Sequence, residues 1–476
     1  MAQGRGLPSA AINPAAWATA HAELVELLRE LIRIPSVNPP EAPGDGELRA
    51  ARLVADRLAA EGLRPEVVEP FPGRGSVATR LRGDGTGGGP LLLLSHLDVV
   101  PAPPEGWTHD PFDGDVADGY VWGRGAVDMK GMVAMEVAVI LALAREARAA
   151  GRDPATDPIP GLRRDVLFAA TADEEAGGHA GAGWIVEHRP DWLRADGALN
   201  ECGGVSVTVG GRRLYPIGVA EKGYAVYRIT VRGTWGHGSM PRPDNAAVRA
   251  AAIVTRLAEP WAPRVTPVMA RFLRTAADAT GGETATLLRG LAAGDPGADA
   301  ALEKACDPSL ARAGRALLRD TISTGIITAG VKYNVIPGTA EVHIDCRTLP
   351  GTTEADLRAG ILTRLGEDLA AACEIEPYLV APAVEAPADG ELYEIMAATL
   401  VDHDPEAVPA PAMAPFATVA KHTMKLGVPT YGFSPLRLDP DERFLERFHG
   451  TDERVSLEAL RFGLPVLYDV VRRYGG

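Results

Sequence analysis

The sequence predicts a doubly wound α/β domain with a mixed sheet, interrupted by a smaller inserted α+β unit of ferredoxin-like β-α-β-β-α-β order. Three observations carry that reading. Short apolar runs alternate with amphipathic helical stretches as far as about residue 200, the succession expected of an α/β domain. The run Leu91-Leu92-Leu93-Leu94 shows no polar alternation, which suits a strand buried on both faces of a central sheet. From Tyr224 onward the order becomes strand, helix, strand, strand, helix, strand, that of a split βαβ sandwich. A chain of 476 residues also exceeds one ordinary compact unit. The expected division is 1–220, an inserted unit 221–382, and a return to the first domain over 383–476, with hinges near Ala220–Gly223 and Ala381–Ala386.

Each element has a local signature. Leu24, Leu27, Leu28, Leu31 and Ile32 recur at helical spacing until Ile34-Pro35 ends the pattern. A second amphipathic stretch covers Glu47–Ala60 and stops at Gly62. Strands are expected at Glu66–Glu69, Val77–Leu81 and Leu91–Leu94, a long helix from Met129 to Ala150, a strand at Asp165–Ala170 and a helix near Ala182–His188. In the inserted unit, Tyr224–Val231 reads as a strand and Asn245–Leu257 as a helix. Further strands are expected at Thr324–Val331, Thr339–Cys346 and Cys373–Leu379, with a helix at Glu354–Leu365. The Ala- and Leu-rich segment 260–319 reads as helical and has no evident role. Val408–Pro415, rich in proline, reads as a surface connection, and Leu457–Tyr468 as a closing helix.

Composition narrows the function. Lys plus Arg number 48 against 63 Asp plus Glu, a formal charge of −15. Such a surface repels phosphate backbones and anionic membranes, so neither nucleic acid nor membrane is an expected partner. Cys202, Cys306, Cys346 and Cys373 stand far apart with no CxxC pair, which disfavours both a cysteine-type zinc ribbon and a disulfide scaffold. The opening MAQGRGLPSAAINPAAWATA lacks a basic stretch followed by an apolar core, so a cytoplasmic protein is expected.

Five short segments could carry chemistry. His96 follows the four-leucine strand, where open α/β sheets place ligands, and Asp98 could accept the second imidazole N–H and fix its tautomer. Asp128, in Gly123-Arg124-Gly125-Ala126-Val127-Asp128-Met129-Lys130-Gly131, stands at the mouth of the long helix, where a plain N-cap is the simpler alternative. Asp173-Glu174-Glu175 directly follows an apolar strand and so emerges at the same sheet edge as His96; two adjacent carboxylates there can divide cation binding from proton transfer. Glu201 follows Gly197-Ala198-Leu199, and His449 lies in Phe448-His449-Gly450-Thr451-Asp452-Glu453. Taken together they make the ligand set of a dinuclear hydrolase, with oxygen and imidazole donors suiting two zinc ions, or manganese or cobalt in their place.

The motifs SHLDVVP, GRGAVDMKG, TADEE, GHGS, NVIPG with DCRTLPG, and HGTDE occur in this order over nearly the whole chain. In that combination the chain resembles the metallopeptidase family that includes aminoacylase, carboxypeptidase S, acetylornithine deacetylase and succinyl-diaminopimelate desuccinylase. The resemblance implies that His96 and Glu201 hold one metal, Glu175 and His449 the other, and Asp128 bridges them. It implies Glu174 as general base, Asp98 as the group that orients His96, and a non-proline cis peptide after Asp128. It makes His237 a group that polarises the scissile carbonyl, contributed across subunits in dimeric members, and Asn334 and Arg347 the holders of a substrate carboxylate. It further implies a lid and dimerisation role for the inserted unit and a homodimer. One departure stands out: Val419 falls where the family commonly has Asp in Thr-Asp-Ala, a change that bears on specificity more than on chemistry.

Two other patterns carry less. Gly83-x-Gly85-x-x-Gly88 has dinucleotide-binding spacing, but Pro90 and a strand follow where a helix is required. No Gly-x-Ser-x-Gly elbow occurs, which weakens a serine hydrolase reading. The reaction expected is amide hydrolysis of N-acyl amino acids by an aminoacylase-like enzyme, with a dipeptidase or carboxypeptidase as the near alternative. A non-catalytic carrier of small carboxylates is the alternative of another class, and an intact Glu174 argues against it.

Overall fold

A computed structural model describes residues 14–38, 44–302, 306, 308–440 and 442–476. The stretch 1–13, part of the segment read for a leader, lies outside the described residues. The chain divides into two compact units. The first comprises Met1–Val219, Ala386–Ala412 and Thr418–Gly476, the second Ala220–Glu385 and Met413–Ala417.

In the first unit the strands lie in the order Glu66–Phe71, Arg74–Leu81, Val166–Thr171, Leu91–His96, Gly197–Asn200 and Thr430–Gly432. Leu91–His96 pairs in parallel with a strand on either side, and Arg74–Leu81 joins antiparallel, making the sheet mixed. Every residue of Leu91–His96 and of Val166–Thr171 is buried, the outcome expected of apolar runs without alternation. One face carries the helix Lys130–Ala149, which packs against Pro14–Ile32 and the closing helix Leu457–Gly475. On an apolar cluster apart from that helix, Leu92, Leu94, Leu167 and Ala169 pack with Ile185, Trp192 and Leu193. Each of these leucines and Ile185 contributes about 1.5–3 kcal/mol through burial.

The second unit is built on the other periodicity. Its sheet has the strand order Thr321–Ala329, Thr339–Thr348, Gly223–Arg232, Cys373–Ala381, all pairings antiparallel. This is the order of a ferredoxin-like βαββαβ sheet. Burial alternates along Gly223–Arg232 and Thr339–Thr348, so Tyr227, Ile229 and Val231 face a core shared with Ile253, Leu257, Leu357 and Ile361. The helix Ala246–Leu257 begins on Asn245, whose side chain accepts from the Ala247 amide. The segment 260–319 holds the helices Pro267–Thr280, Gly282–Ala293 and Pro308–Leu317. Lys222, buried, fastens this segment by donating to the carbonyls of Ala316 and Arg319 at 3.0 and 2.8 Å.

Val408–Pro415 corrects the sequence reading. It is no surface connection: Val408–Ala414 is a strand, buried from Ala410 to Ala414. The fixed φ of proline is compatible with an extended chain, and its missing N–H is tolerated where no ladder bond is required. The small apolar residues between the prolines then decide the burial. Among the described residues no helix is long and apolar enough to cross a membrane, and none of the four cysteines forms a disulfide.

Candidate metal centre

Three parallel strands end side by side, and each delivers a candidate. His96 closes Leu91–His96, Glu174 and Glu175 open the turn after Val166–Thr171, and Glu201 follows Gly197–Asn200. Asp128 precedes the helix Lys130–Ala149, and its side chain does not cap that helix, so the N-cap alternative falls. The peptide bond from Asp128 to Met129 is cis, as the resemblance implies. His449 arrives on the loop before Arg454–Ser456, with a left-handed backbone (φ 57°).

These side chains converge. Asp128 Oδ1 lies 3.1 Å from His96 Nε2, and Oδ2 lies 3.3 Å from His449 Nε2. Glu201 Oε1 is 3.8 Å from His96 Nε2, and Glu175 Oε2 is 3.4 Å from His449 Nε2. Two triads result, His96/Asp128/Glu201 and Asp128/Glu175/His449, within each of which donor atoms lie within 4.8 Å of one another. They differ in exposure: the His96 side chain is 1% exposed and that of His449 56%. Glu174 stands beside them, its Oε1 3.8 Å from Lys421 Nζ.

Asp98 does more than face His96. The His96 Nδ1 bonds the Asp98 backbone carbonyl at 3.0 Å, while carboxylate Oδ1 is 3.5 Å away. A carbonyl only accepts, so Nδ1 donates; the Asp128 carboxylate likewise only accepts, so a ring bonded to both carries a proton on each nitrogen, and a cation taking the place of the Nε2 proton would meet a neutral ring. The Asp98 carboxylate itself accepts the amides of Glu174 and Glu175 at 3.0 and 2.9 Å, binding the two strand ends together. Around it lies a buried polar network that the sequence reading did not find. Asn38 donates to Asp98 at 2.9 Å and to Asp173 at 3.2 Å, and Glu47 accepts the Asp173 amide at 2.8 Å while pairing with Arg74 at 2.7 Å. Lys130, also buried, donates to the carbonyls of Leu31 and Ile34, both at 2.9 Å. The acid at Glu47 and the lysine at Lys130, each within or opening an amphipathic helix, were the available signals.

The electrostatics record the crowding. Burial opposes a charged His96, yet Glu201, Asp128 and Asp98 outweigh it and hold its pKa well above the ordinary value. Burial also opposes ionisation of Asp128, but bonds to His449 and His96 prevail and push it below the usual carboxylate range. Contacts with Asp128 and Glu175 raise His449 to about 10. Burial, assisted by neighbouring carboxylates, raises Glu174 well above its usual range and Glu175 to about 7. The His449 and Glu175 values move the same way because burial outweighs pairing at the carboxyl.

A divalent cation fits this donor set. The donors are imidazole and carboxylate without thiolate, and Glu175 Oε1 is buried with no hydrogen-bond partner. A cation would replace the protons that the carboxylates draw onto the imidazoles. Val419, where the resemblance expects Asp, is fully buried within the apolar cluster around Leu92 and Ile185.

The remaining candidates belong to the second unit. His237, exposed, lies in the short strand Gly236–His237 paired with Val335–Ile336. The Gly238 amide donates to the Asn334 carbonyl at 2.8 Å, which sets His237 and Asn334 side by side. Arg347 sits opposite Tyr224, its guanidinium 5.5 Å from the ring centre, and donates Nε and Nη2 to Asp345 at 2.7 and 2.9 Å. Arg347 lies near the far end of Thr339–Thr348, whose span from Thr339 to Arg347 is roughly 27 Å at ~3.4 Å per residue, while Asn334 lies before Thr339, at the other end.

The profile of Peptidase family M20/M25/M40 matches residues 92–473. The chain is 28% identical over 452 residues to N-fatty-acyl-amino acid synthase/hydrolase PM20D1 of Xenopus tropicalis, covering 92% of this chain and 83% of that protein. It is 28% identical over 403 residues to probable carboxypeptidase S-like 2 of Dictyostelium discoideum, covering 80% and 71%. Its fold is similar to that of human carnosine dipeptidase 1, with a TM-score of 0.70 at 17% identity over 97% of this chain and 98% of that one. An M20 family metallo-carboxypeptidase from Sulfolobus solfataricus gives a TM-score of 0.69 at 15% identity, covering 95% and 99%.

Proposed function

The chain belongs to peptidase family M20/M25/M40, and from that premise we propose that it is a metal-dependent hydrolase that cleaves the amide bond of N-acyl amino acids. The observation that carries the reading is the Asp128 carboxylate, which turns one oxygen to His96 and the other to His449 with Glu174 alongside. In this reading His96, Asp128 and Glu201 hold one cation and Asp128, Glu175 and His449 the other, zinc being favoured by the donor set. Bound there, such ions would acidify water and polarise a carbonyl oxygen. Glu174 takes the proton of the attacking water and delivers it to the departing amine. His237 donates a hydrogen bond to the developing oxyanion. Arg347 grips the carboxylate of the amino-acid product, with Asn334, supplied by a second copy, as its partner in that task.

The N-acyl class is favoured by likeness to a protein named for N-fatty-acyl-amino acids over most of both chains. Likeness to a carboxypeptidase S-like protein supports peptide cleavage as the second reading. The placement of Asn334 before Thr339 and of Arg347 near the far end of Thr339–Thr348 supports a homodimer in which His237 and Asn334 complete the site of a second copy. The inserted unit would then serve as lid and dimer interface, and its edge strand Thr321–Ala329 exposes Ile326 and Ile327. A cytoplasmic location completes the proposal.

The test is cation analysis with a panel of acylated amino acids and dipeptides, run on wild type and Glu174→Gln. Wild type is expected to hydrolyse acylated amino acids, and Glu174→Gln to keep its cations while losing about 10²–10⁴-fold in rate. Cation binding without turnover of any substrate in either protein would favour the carrier reading instead.

A further inference from the structure

Asp128 stands at the end of the loop Gly123–Asp128, whose backbone amides converge on one atom. Those of Gly125, Val127 and Asp128 donate to Glu453 Oε1 at 3.1, 2.8 and 3.0 Å. The other oxygen, Oε2, accepts Arg124 Nη1 at 2.6 Å. Arg124 Nη2 continues to the Gly450 carbonyl at 3.1 Å, and the Gly123 amide donates to the Glu453 carbonyl at 2.9 Å. Glu453 is 0% exposed and Arg124 3%. One ion pair thus fastens the loop that carries Asp128 to the loop that carries His449.

A buried ion pair is a poor source of stability, since dehydration offsets most of the attraction. Its use is geometric. His96 and Glu201 stand at the ends of strands adjoining in one sheet, so the ladder sets their spacing. The spacing of Asp128 to His449 has no ladder behind it, because both sit on loops. Asp452 clips the His449 loop to Thr108 at 2.6 and 2.9 Å, which keeps the loop folded but does not join it to Asp128.

We propose that Glu453, with Arg124, is a positioning pair that sets the Asp128–His449 spacing and so governs cation occupancy of the Asp128/Glu175/His449 triad more strongly than that of His96/Asp128/Glu201, where the sheet places two of the three ligands. The inference rests on the reading that these triads hold cations. Glu453→Gln keeps an acceptor for the three amides but turns an NH₂ toward the Arg124 guanidinium, so two donors oppose each other. Arg124→Lys keeps the charge but forfeits the fork that spans Glu453 and Gly450.

The experiment titrates cobalt(II), and separately zinc, into chelator-stripped full-length protein by calorimetry, with thermal melts of the stripped proteins as a check on folding. Wild type should take up two equivalents. In Glu453→Gln one equivalent should lose about 10–100-fold in affinity while the other loses clearly less. Arg124→Lys should show the same split more mildly, and it carries the test if Glu453→Gln does not fold. The double variant Glu453→Gln/Arg124→Met, freed of opposing donors, should recover part of the loss. Equal weakening of both equivalents, or unchanged affinities in folded variants, overturns the positioning role alone. A wild type that takes up no cation overturns the metal reading and this inference with it.

Discussion

His96 is buried with both ring nitrogens facing partners, and Asp128 is held through its backbone amide and engaged at both carboxylate oxygens. In the second unit His237 is exposed, its Nδ1 beside the Ser239 hydroxyl at 2.7 Å. Asn334 Oδ1 is buried with no hydrogen-bond partner, and Arg347 is steadied by Asp345 and Tyr224. In the first unit the candidate ligands are held by one another and by a buried polar network, with Glu175 Oε1 left for a cation; in the second, His237 is exposed and Asn334 Oδ1 is left without a bond. The contrast fits a division in which one unit prepares the reactive centre in advance and the other closes its contacts when substrate or a second chain arrives.

The contrast can be broken most severely at Asp128, which both triads share. Asp128→Asn should abolish stoichiometric binding of either cation and lower kcat/KM by about 10³-fold or more, read by metal analysis and steady-state kinetics. Two bound equivalents in this variant would remove Asp128 from the centre. At the second unit the effect should fall on rate without touching cation content. His237→Ala should reduce kcat about 10²–10³-fold with both equivalents retained. Arg347→Lys should act on recognition, raising KM about 10–100-fold for substrates with a free carboxylate and leaving kcat nearly unchanged. An equal effect on carboxyl-amidated substrates would detach Arg347 from that task.

The smallest effect concerns Lys222, whose pKa burial lowers to about 8 from an ordinary 10.5. Between those values the unfolded chain binds more protons than the folded one, so stability rises with pH across that window. Lys222→Met lacks the term. The stability of wild type relative to this variant should therefore grow from pH ~8 to ~10.5, by at most about 1.4 kcal/mol per pH unit. Parallel urea-denaturation curves across that range would contradict it.

Much of this was legible from local pattern. An unbroken leucine run specified a two-sided strand, and alternation specified the one-sided strands of the second unit. His96, Glu175 and Glu201 could be grouped because each directly follows an apolar run that ends at one sheet edge. What stayed hidden depends on contacts between distant positions. Glu453 meets the Asp128 amide across 325 positions of sequence, and in isolation an acid before a helix looks like surface. Asn38 and Glu47 are likewise ordinary polar residues until the fold buries them against Asp98 and Asp173. Proline disguised the strand Val408–Ala414, and residue types alone carry no distance, so nothing in the motifs separated Asn334 from Arg347.

Leu91–His96 is laced to a neighbour along both edges and covered on both faces. Its amide protons should be among the last to trade with solvent deuterium, because they are released only when the whole first unit opens. Breathing of the protein would then begin at the His449 side, and an ion lodged against His96 would outlast its neighbour during slow dialysis.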